Sequence, residues 1–316
     1  MAMVEKMIRI RRASQEDRRR PVLLAIAGDS AAGKSTVAQG IVDALGPARC
    51  TILSTDDYHR YDRYERAHRP FTALHPDCHY LPILAQHLQL LATGQPILKP
   101  VYDHGTGRLI RPQLVEPTEV IVVEGLLPLH SKLARACFDV TVYLDPPEQI
   151  RRAWKVARDT TSRGYTQEQV LAELVEREAE SAEFIRPQRS HADIVVRFAP
   201  IEARDDAPGT PLSASLLLRT TIAQPDLSDV LQPGMARTIH MRLARDGDGR
   251  PVDSVHVHGY ASPEDSATAE KMVWHALGQD GSAVPDALGR IGADERSTPL
   301  AITQMVLMHH VLAAGR

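Results

Sequence analysis

The chain has 316 residues, 24% of them charged, with a formal net charge of −3 and only 4% aromatic residues. That length holds one large domain or two ordinary ones, and the balanced charge and scarce rings exclude a dedicated nucleic-acid binder or a base-stacking platform. Cys50, Cys78 and Cys137 are scattered with no CxxC pair, which excludes a zinc ribbon or a disulfide framework. With no bilayer-length apolar run and no secretory signal, a soluble, cytoplasmic protein without a membrane partner is expected.

Residues 1–20 carry Arg9, Arg11, Arg12, Arg18, Arg19 and Arg20, diluted by Glu5, Glu16 and Asp17, and read as a basic, solvated leader. The apolar run 22–27 then enters Gly28-Asp29-Ser30-Ala31-Ala32-Gly33-Lys34-Ser35-Thr36. Behind it follows an amphipathic helix with Val37, Ala38, Ile41, Val42 and Leu45 on one face. Strand, glycine-bounded loop, Lys-Ser and helix together fit the G-x-x-x-x-G-K-[ST] phosphate cradle in its required context. Gly28 and Gly33 permit positive φ and close backbone approach, so successive N–H groups converge on an anion at a positive helix end. Lys34 is expected to reach the β- and γ-phosphates and Ser35 to ligate Mg²⁺. No Asn/Thr-Lys-x-Asp base-recognition signature occurs, which favours ATP as the nucleotide.

Residues 51–55 read as a second strand running into Asp56-Asp57-Tyr58-His59-Arg60-Tyr61-Asp62-Arg63, at the carboxyl edge where α/β sheets gather their chemistry. A helix is predicted over 80–91, with His87 as a partly buried face residue, and an extended segment and turn over 98–107. Residues 120–123 form a buried strand that delivers Glu124-Gly125 to the same edge. There Glu124 suits the Walker-B role of holding Mg²⁺ or its water; the competing reading is a helix cap.

Another buried strand over 138–144 ends at Asp145, and Pro146 or Pro147 starts a helix that runs to Arg158-Asp159. Thr166 and Gln169 make a capping box for a further helix to about Phe184, whose glutamates read as its wet side. A strand over 193–198 completes an alternation that predicts, for residues 21–200, an α/β fold with a doubly wound, mainly parallel sheet and helices on both faces. A Pro-, Gly- and Asp-rich connection at 203–211 leads to predicted strands at 214–222, 237–244 and 252–258, the last two joined by a hairpin loop at 245–250. Helices are predicted at 263–277 and 299–313, giving a C-terminal α+β extension over 201–316 that packs on the first domain.

Phosphoryl transfer to an alcohol needs a lysine on the phosphates, Mg²⁺, a carboxylate near the acceptor hydroxyl and guanidinium groups for developing charge. The candidates are Lys34, Ser35, Glu124, Asp56, Arg158 and Arg163. Several further motifs occur in an order that resembles the phosphoribulokinases, within the wider phosphoribulokinase and uridine kinase group. They are Asp56-Asp57-Tyr58-His59, Thr72-Ala73-Leu74-His75-Pro76, Lys99-Pro100-Val101-Tyr102-Asp103-His104 through Gly107, Glu124-Gly125-Leu126, Tyr143-Leu144-Asp145, Ala153-Trp154-Lys155-Val156-Ala157-Arg158-Asp159, Ser162-Arg163-Gly164 and Pro187-Gln188. The resemblance covers about residues 22–200.

It implies a P-loop kinase that uses ATP and Mg²⁺ to phosphorylate the C1 hydroxyl of ribulose 5-phosphate, and it implies a homodimer. By the resemblance Asp56 is the base on that hydroxyl, Glu124 with Ser35 the Mg²⁺ ligand, and Asp159 an accessory acid. His59, Arg63, Tyr102, His104 and Lys155 are substrate-side residues, and Arg158 and Arg163 belong to a lid over the phosphates. A sugar phosphate is best held by a planar guanidinium, which gives Arg63 a role as phosphate anchor. Two departures stand out. The family's Glu-Gly-Leu-His reads Glu124-Gly125-Leu126-Leu127, and Ala32 and Ser54 replace the regulatory cysteines of plant-type enzymes. A uridine kinase-like enzyme, which would not need Arg63 for a substrate phosphate, a kinase for another phosphorylated sugar, and an ATP-binding regulatory module remain the alternatives.

Overall fold

The computed structural model describes residues 20–201, 204, 210–279, 282–292 and 295–315. The arginine-rich leader over 1–19 and most of the connection at 203–211 lie outside the described residues. In chain order the first part holds β1 (Val22–Gly28), α1 (Lys34–Leu45), β2 (Cys50–Ser54), α2 (Arg63–Arg66), α3 (Leu81–Ala92), β3 (Ile97–Asp103), β4 (Arg108–Val115) and β5 (Val120–Gly125). There follow α4 (Lys132–Arg135), β6 (Val140–Leu144), α5 (Glu148–Ser162), α6 (Gln167–Glu176), α7 (Glu178–Glu180) and β7 (Ile194–Ala199). Beyond the connection come β8 (Ser213–Arg219), β9 (Ile239–Arg245), β10 (Pro251–Val257), α8 (Pro263–Ala276), β11 (Arg290–Ile291), β12 (Glu295–Arg296) and α9 (Thr298–Ala314).

One eight-stranded sheet runs in the order β2-β5-β1-β6-β7-β8-β10-β9. Its first five strands are parallel, and β8, β10 and β9 continue it antiparallel. Every residue of the central β1 is buried, which is why its sequence is apolar throughout rather than alternating. Its two faces nevertheless serve different layers. Val22, Leu24 and Ile26 pack with Val37 and Ile41 of α1 and Met305 and Val306 of α9, whereas Leu23 packs with Leu84 and Leu88 of α3.

Two elements depart from the sequence reading. Residues 98–107, expected to be a short extended segment and turn, belong to a two-stranded hairpin, β3–β4, outside the main sheet. β4 is exposed at every residue but Val115, so it carries no burial pattern to betray it and is held by its ladder to β3. The helix expected to continue to Phe184 instead ends at Glu176. After α7 it becomes a π-helical turn over Ser181–Ile185 and a 3₁₀ stretch over Arg186–His191. Pro187 cannot donate a backbone hydrogen bond, and side chains of this stretch are committed to other loops, so a regular ladder does not carry through.

α9 is buried on nearly all sides, as befits a helix that is apolar all round. Its Gln304 sits against Gly40 of α1, where a Cβ would lie 2.1 Å from the amide nitrogen, and donates to the carbonyls of Thr36 and Val37 at 3.2 and 3.3 Å.

Candidate functional site

The phosphate loop leaves β1 at Gly28, where a Cβ would sit 2.8 Å from the carbonyl oxygen of Leu144. Ala31 at φ 63° and Gly33 at φ 92° then bend the backbone through left-handed geometry into α1. No side chain caps that helix, so its first N–H groups remain open to an anion. Lys34 is buried and its Nζ donates to the Asp29 carbonyl at 2.8 Å. Burial pushes its pKa below the usual lysine range, opposed by the carboxylates of Glu124, Asp56 and Asp29.

Those carboxylates arrive from neighbouring strand ends. β2 and β5 pair in register, with Ser54 beside Glu124, so the chain after β2 emerges next to the end of β5. Gly125 lets Thr55 come close: a Cβ there would lie 1.8 Å from the Thr55 hydroxyl oxygen. Burial raises the pKa of Glu124, and Lys34 and hydrogen bonds from the Ser54 and Ser35 hydroxyls lower it in part. Ser35 and Glu124 thus share one locality. Among the described residues no group of three or more His, Cys, Asp or Glu could hold a metal ion. One hydroxyl and one carboxylate beside a phosphate cradle is nonetheless the kind of set that suits Mg²⁺, which takes most of its shell from water and phosphates.

Asp56 faces this pair. Its Oδ1 is buried without a hydrogen-bond partner, and its Oδ2 lies 3.8 Å from His104 Nε2. Burial would raise its pKa, but His59, Lys34, His104 and His79 hold it below the usual carboxylate range. His59 is itself lowered to about 3 by burial and by His79, so it is neutral at neutral pH, and we assign the effect on Asp56 chiefly to Lys34. His59 is buried, donates through Nδ1 to the Asp56 carbonyl and stacks on Tyr102 with ring centroids 4.6 Å apart. Asp57 accepts from Lys99 and from the Tyr102 backbone N–H at 3.0 Å, fixing β3 beside the Asp56 turn. His59 and Tyr102 therefore form a wall of the site, while His104 is half exposed at its mouth.

The guanidinium of Arg63 is already engaged: Nη2 donates to the His104 carbonyl at 2.7 Å and the side chain crosses Gly107. One turn further along α2 stands Arg66, which the sequence reading missed. Its guanidinium is 5.9 Å from the Tyr102 ring centroid, and its Nη1 is buried with no partner. The available signal was the Asp62–Glu65 capping box, which makes one helical turn and puts Arg63 and Arg66 three residues apart on it.

The residues expected to form a lid assemble around a buried charge. Asp159 is 1% exposed and receives Lys155 Nζ at 2.6 Å on one oxygen and Arg158 Nε at 2.8 Å on the other, with Arg163 Nη1 at 3.5 Å. Lys155, also 1% exposed, reaches Glu173 of α6 at 3.2 Å. Asp159 and Lys155 are thus committed to each other inside the protein, and the pair orients Arg158, whose Nη2 lies 3.4 Å from Ser30 Oγ of the phosphate loop. Glu173 is no member of a merely wet face, since it pairs with Lys155 and Arg177. Leu127 is buried with Leu74, Leu126 and Ile185, which accounts for an aliphatic residue at that place.

Residues 23–203 match the Phosphoribulokinase / Uridine kinase family. A phosphoribulokinase of Synechocystis sp. is 37% identical over 214 residues, covering 68% of this chain and 63% of that protein. A chloroplastic phosphoribulokinase of Arabidopsis thaliana is 31% identical, covering 63% and 55%. A uridine kinase of Geobacillus kaustophilus is 32% identical, covering 56% of this chain and 86% of that protein. This chain therefore spans less than two thirds of the length of these two phosphoribulokinases. Among solved structures, a phosphoribulokinase from Rhodobacter spheroides superposes with a TM-score of 0.57 at 17% identity, covering 83% of this chain and 97% of that one, a likeness of fold. The family match, spanning more than half of the chain and the whole of the site just described, makes this protein a member of the phosphoribulokinase and uridine kinase family of P-loop kinases.

Proposed function

We propose that the protein transfers the γ-phosphoryl group of ATP to the C1 hydroxyl of ribulose 5-phosphate, giving ribulose 1,5-bisphosphate and ADP. The observation that carries this reading is the pairing, on one wall, of a carboxylate with a buried unpartnered oxygen, Asp56, and a guanidinium with a buried unpartnered nitrogen, Arg66. A base for a hydroxyl and an anchor for an acceptor's own phosphate are together what a phosphorylated sugar requires and what a nucleoside does not. The similarity to phosphoribulokinases supports the same reading.

In this scheme the open N–H groups of the phosphate loop and Lys34 cradle the β- and γ-phosphates, while Ser35 and Glu124 would hold Mg²⁺, which neutralises phosphate charge when bound. Asp56 accepts the proton as the C1 oxygen forms its bond to the γ-phosphorus. The bond from that phosphorus to the β-bridging oxygen breaks, and ADP carries away its electron pair. Arg158 and Arg163, held by Asp159, offset the charge spreading over the transferred group. Arg66 fixes the 5-phosphate and Arg63 holds the His104 turn in place, with His59, Tyr102 and His104 lining the sugar, and Lys155 supports the lid through Asp159.

The test is ADP release from purified protein with pentose phosphates, hexose phosphates and nucleosides. Fast turnover on ribulose 5-phosphate is expected. Preferential turnover on uridine would establish the nucleoside reading instead, and ATP binding with no acceptor-dependent ADP release would leave a regulatory module.

A further inference from the structure

Two consecutive residues after α6 grip opposite sides of the cleft. The carboxylate of Glu180 accepts from the backbone N–H of Thr72 at 2.9 Å and from the Thr72 hydroxyl, in the loop between the Asp56 turn and α3. The hydroxyl of Ser181, which is 2% exposed, donates to Oδ2 of Asp29 inside the phosphate loop. Successive side chains on a helical backbone leave the axis about 100° apart, so neighbours of this kind reach different partners. Here one reaches the acceptor loop and the other the nucleotide loop.

Both attachments bear on groups of the site. Asp29 holds the Ser30 N–H at 2.6 Å through Oδ1, and its carbonyl receives Lys34 Nζ at 2.8 Å, so a shift of Asp29 moves the lysine. Arg151 of α5 closes on the same aspartate at 3.5 Å and is fixed in turn by Glu148. Two residues beyond Thr72, Leu74 packs on Ile185 of the π-helical turn, together with Leu126 and Leu127 beyond the Glu124 strand end. Such π turns are rare and occur often at functional sites, because the extra residue re-aims side chains that a regular helix would point elsewhere.

We infer that Glu180 and Ser181 are positioning residues that couple the two halves of the site, so that order imposed on the acceptor loop by a phosphorylated sugar passes through this turn to the phosphate loop, and the reverse. The inference rests on the proposed reading of the cleft as a nucleotide and sugar-phosphate site. By linkage, each substrate then tightens the other by the same factor.

The test is calorimetric titration with a non-hydrolysable ATP analogue and Mg²⁺, with and without saturating ribulose 5-phosphate, on wild type, Ser181→Ala, Glu180→Ala and Thr72→Val. Alongside it, hydrogen exchange is followed at the backbone amides of residues 29–36. In wild type the sugar phosphate should tighten the analogue by roughly fivefold or more. Each single substitution should bring that factor to within about twofold of unity, and Glu180→Ala should speed exchange in the phosphate loop, which it does not touch. The double variant Glu180→Ala/Ser181→Ala should lose no more coupling than either single variant, since both break one series connection. No coupling in wild type, or coupling that survives Ser181→Ala, overturns the inference even if ribulose 5-phosphate is turned over. Conversely, failure of every phosphorylated sugar to turn over, with exchange still transmitted from Glu180→Ala, removes the proposed reaction and leaves the mechanical connection standing. Ser181→Ala deletes one oxygen and Thr72→Val changes one for a methyl, so fold loss in one variant still leaves the other to decide.

Discussion

The hydroxyl of Ser35, in the first turn of α1, stands beside the carboxylate of Glu124 at the end of β5, and the Ser54 hydroxyl stands beside the same carboxylate. Burial raises Glu124 above its ordinary pKa, whereas Asp56 is held below its own. As pH falls, Glu124 therefore takes up its proton before Asp56 does. If ionised Glu124 is needed for Mg²⁺, activity is full above its raised pKa and is lost on acidification through it. Ser54→Ala removes a nearby hydroxyl that favours the ionised form, so the acid limb of kcat/KM should move to higher pH. A limb that stays put or moves down would assign it to another group.

Arg66, unlike Arg63, has a buried guanidinium nitrogen with no hydrogen-bond partner, and its guanidinium stands by the Tyr102 ring of the Asp56 wall. Loss of a charge-assisted hydrogen bond to a phosphate costs about 1.5–3 kcal/mol, or roughly ten- to a hundredfold. Arg66→Ala should raise KM for ribulose 5-phosphate by that factor and leave KM for ATP nearly unchanged. Arg63→Ala should have a smaller effect on the same constant, through the displaced His104. Steady-state kinetics with each substrate varied decides it; an unchanged acceptor KM in Arg66→Ala rejects the anchor.

How much of this was legible in the sequence differs by element. β1, β5 and β6 are short, bounded apolar runs, and such runs with helices between them specify parallel pairing with little competition. The phosphate loop was legible because its backbone demands particular residues. β4 was not, since a strand held only by its hairpin partner and exposed on both faces has no hydrophobic period to read. The break after Glu176 was hidden for a different reason. Besides Pro187, the partners that hold this stretch are Asp29 and Thr72, which are remote in sequence, so local propensity alone favours a longer helix. Likewise, nothing local tells that Lys155 and Asp159 satisfy each other inside the protein. Their four-residue spacing on α5 permits the pair, and burial makes it obligatory.

The hairpin between β9 and β10 is bound to the sheet by Asp246. Arg219 Nη2 reaches it at 2.7 Å and Arg189 Nη2 at 2.7 Å, while Arg189 also pairs with Asp145 at the end of β6. Although burial raises the pKa of Asp246, these hydrogen bonds bring it down from 3.8 to about 2. A depressed carboxylate stabilises the fold above its unfolded pKa and ceases to as pH falls through the folded one. Here that contribution is roughly 2 kcal/mol, lost between about pH 4 and pH 2. Asp246→Asn takes from the buried Arg219 the nearer of its two carboxylates, leaving Asp248 at 3.4 Å, and should cost about 3 kcal/mol near neutral pH. Urea unfolding at pH 7 and at pH 2.5 should show the wild-type advantage shrinking on acidification; a constant gap would mean that the carboxylate charge is immaterial.

Cys50 and Cys78 are buried, and burial pushes their thiols up to about 12 and about 11; it raises Cys137 as well. Thiolates are the reactive form, so all three should react slowly with disulfides and peroxide. Activity after oxidant and after dithiol treatment should be equal within assay error. A large, reversible difference would reveal a thiol pair that these positions do not suggest.

The seat of Gln304 on Gly40 sets a condition on how the molecule comes into being. The carbonyls that it caps belong to Thr36 and Val37, up to 268 positions earlier in the chain. Contacts of such sequence separation pay their loop-closure entropy late, and folds that depend on them form slowly. A ribosome will have released the phosphate loop and the whole parallel half of the sheet well before α9 exists to cover α1. Until then the apolar face of α1 that α9 covers stays open to solvent, to chaperones and to other nascent chains.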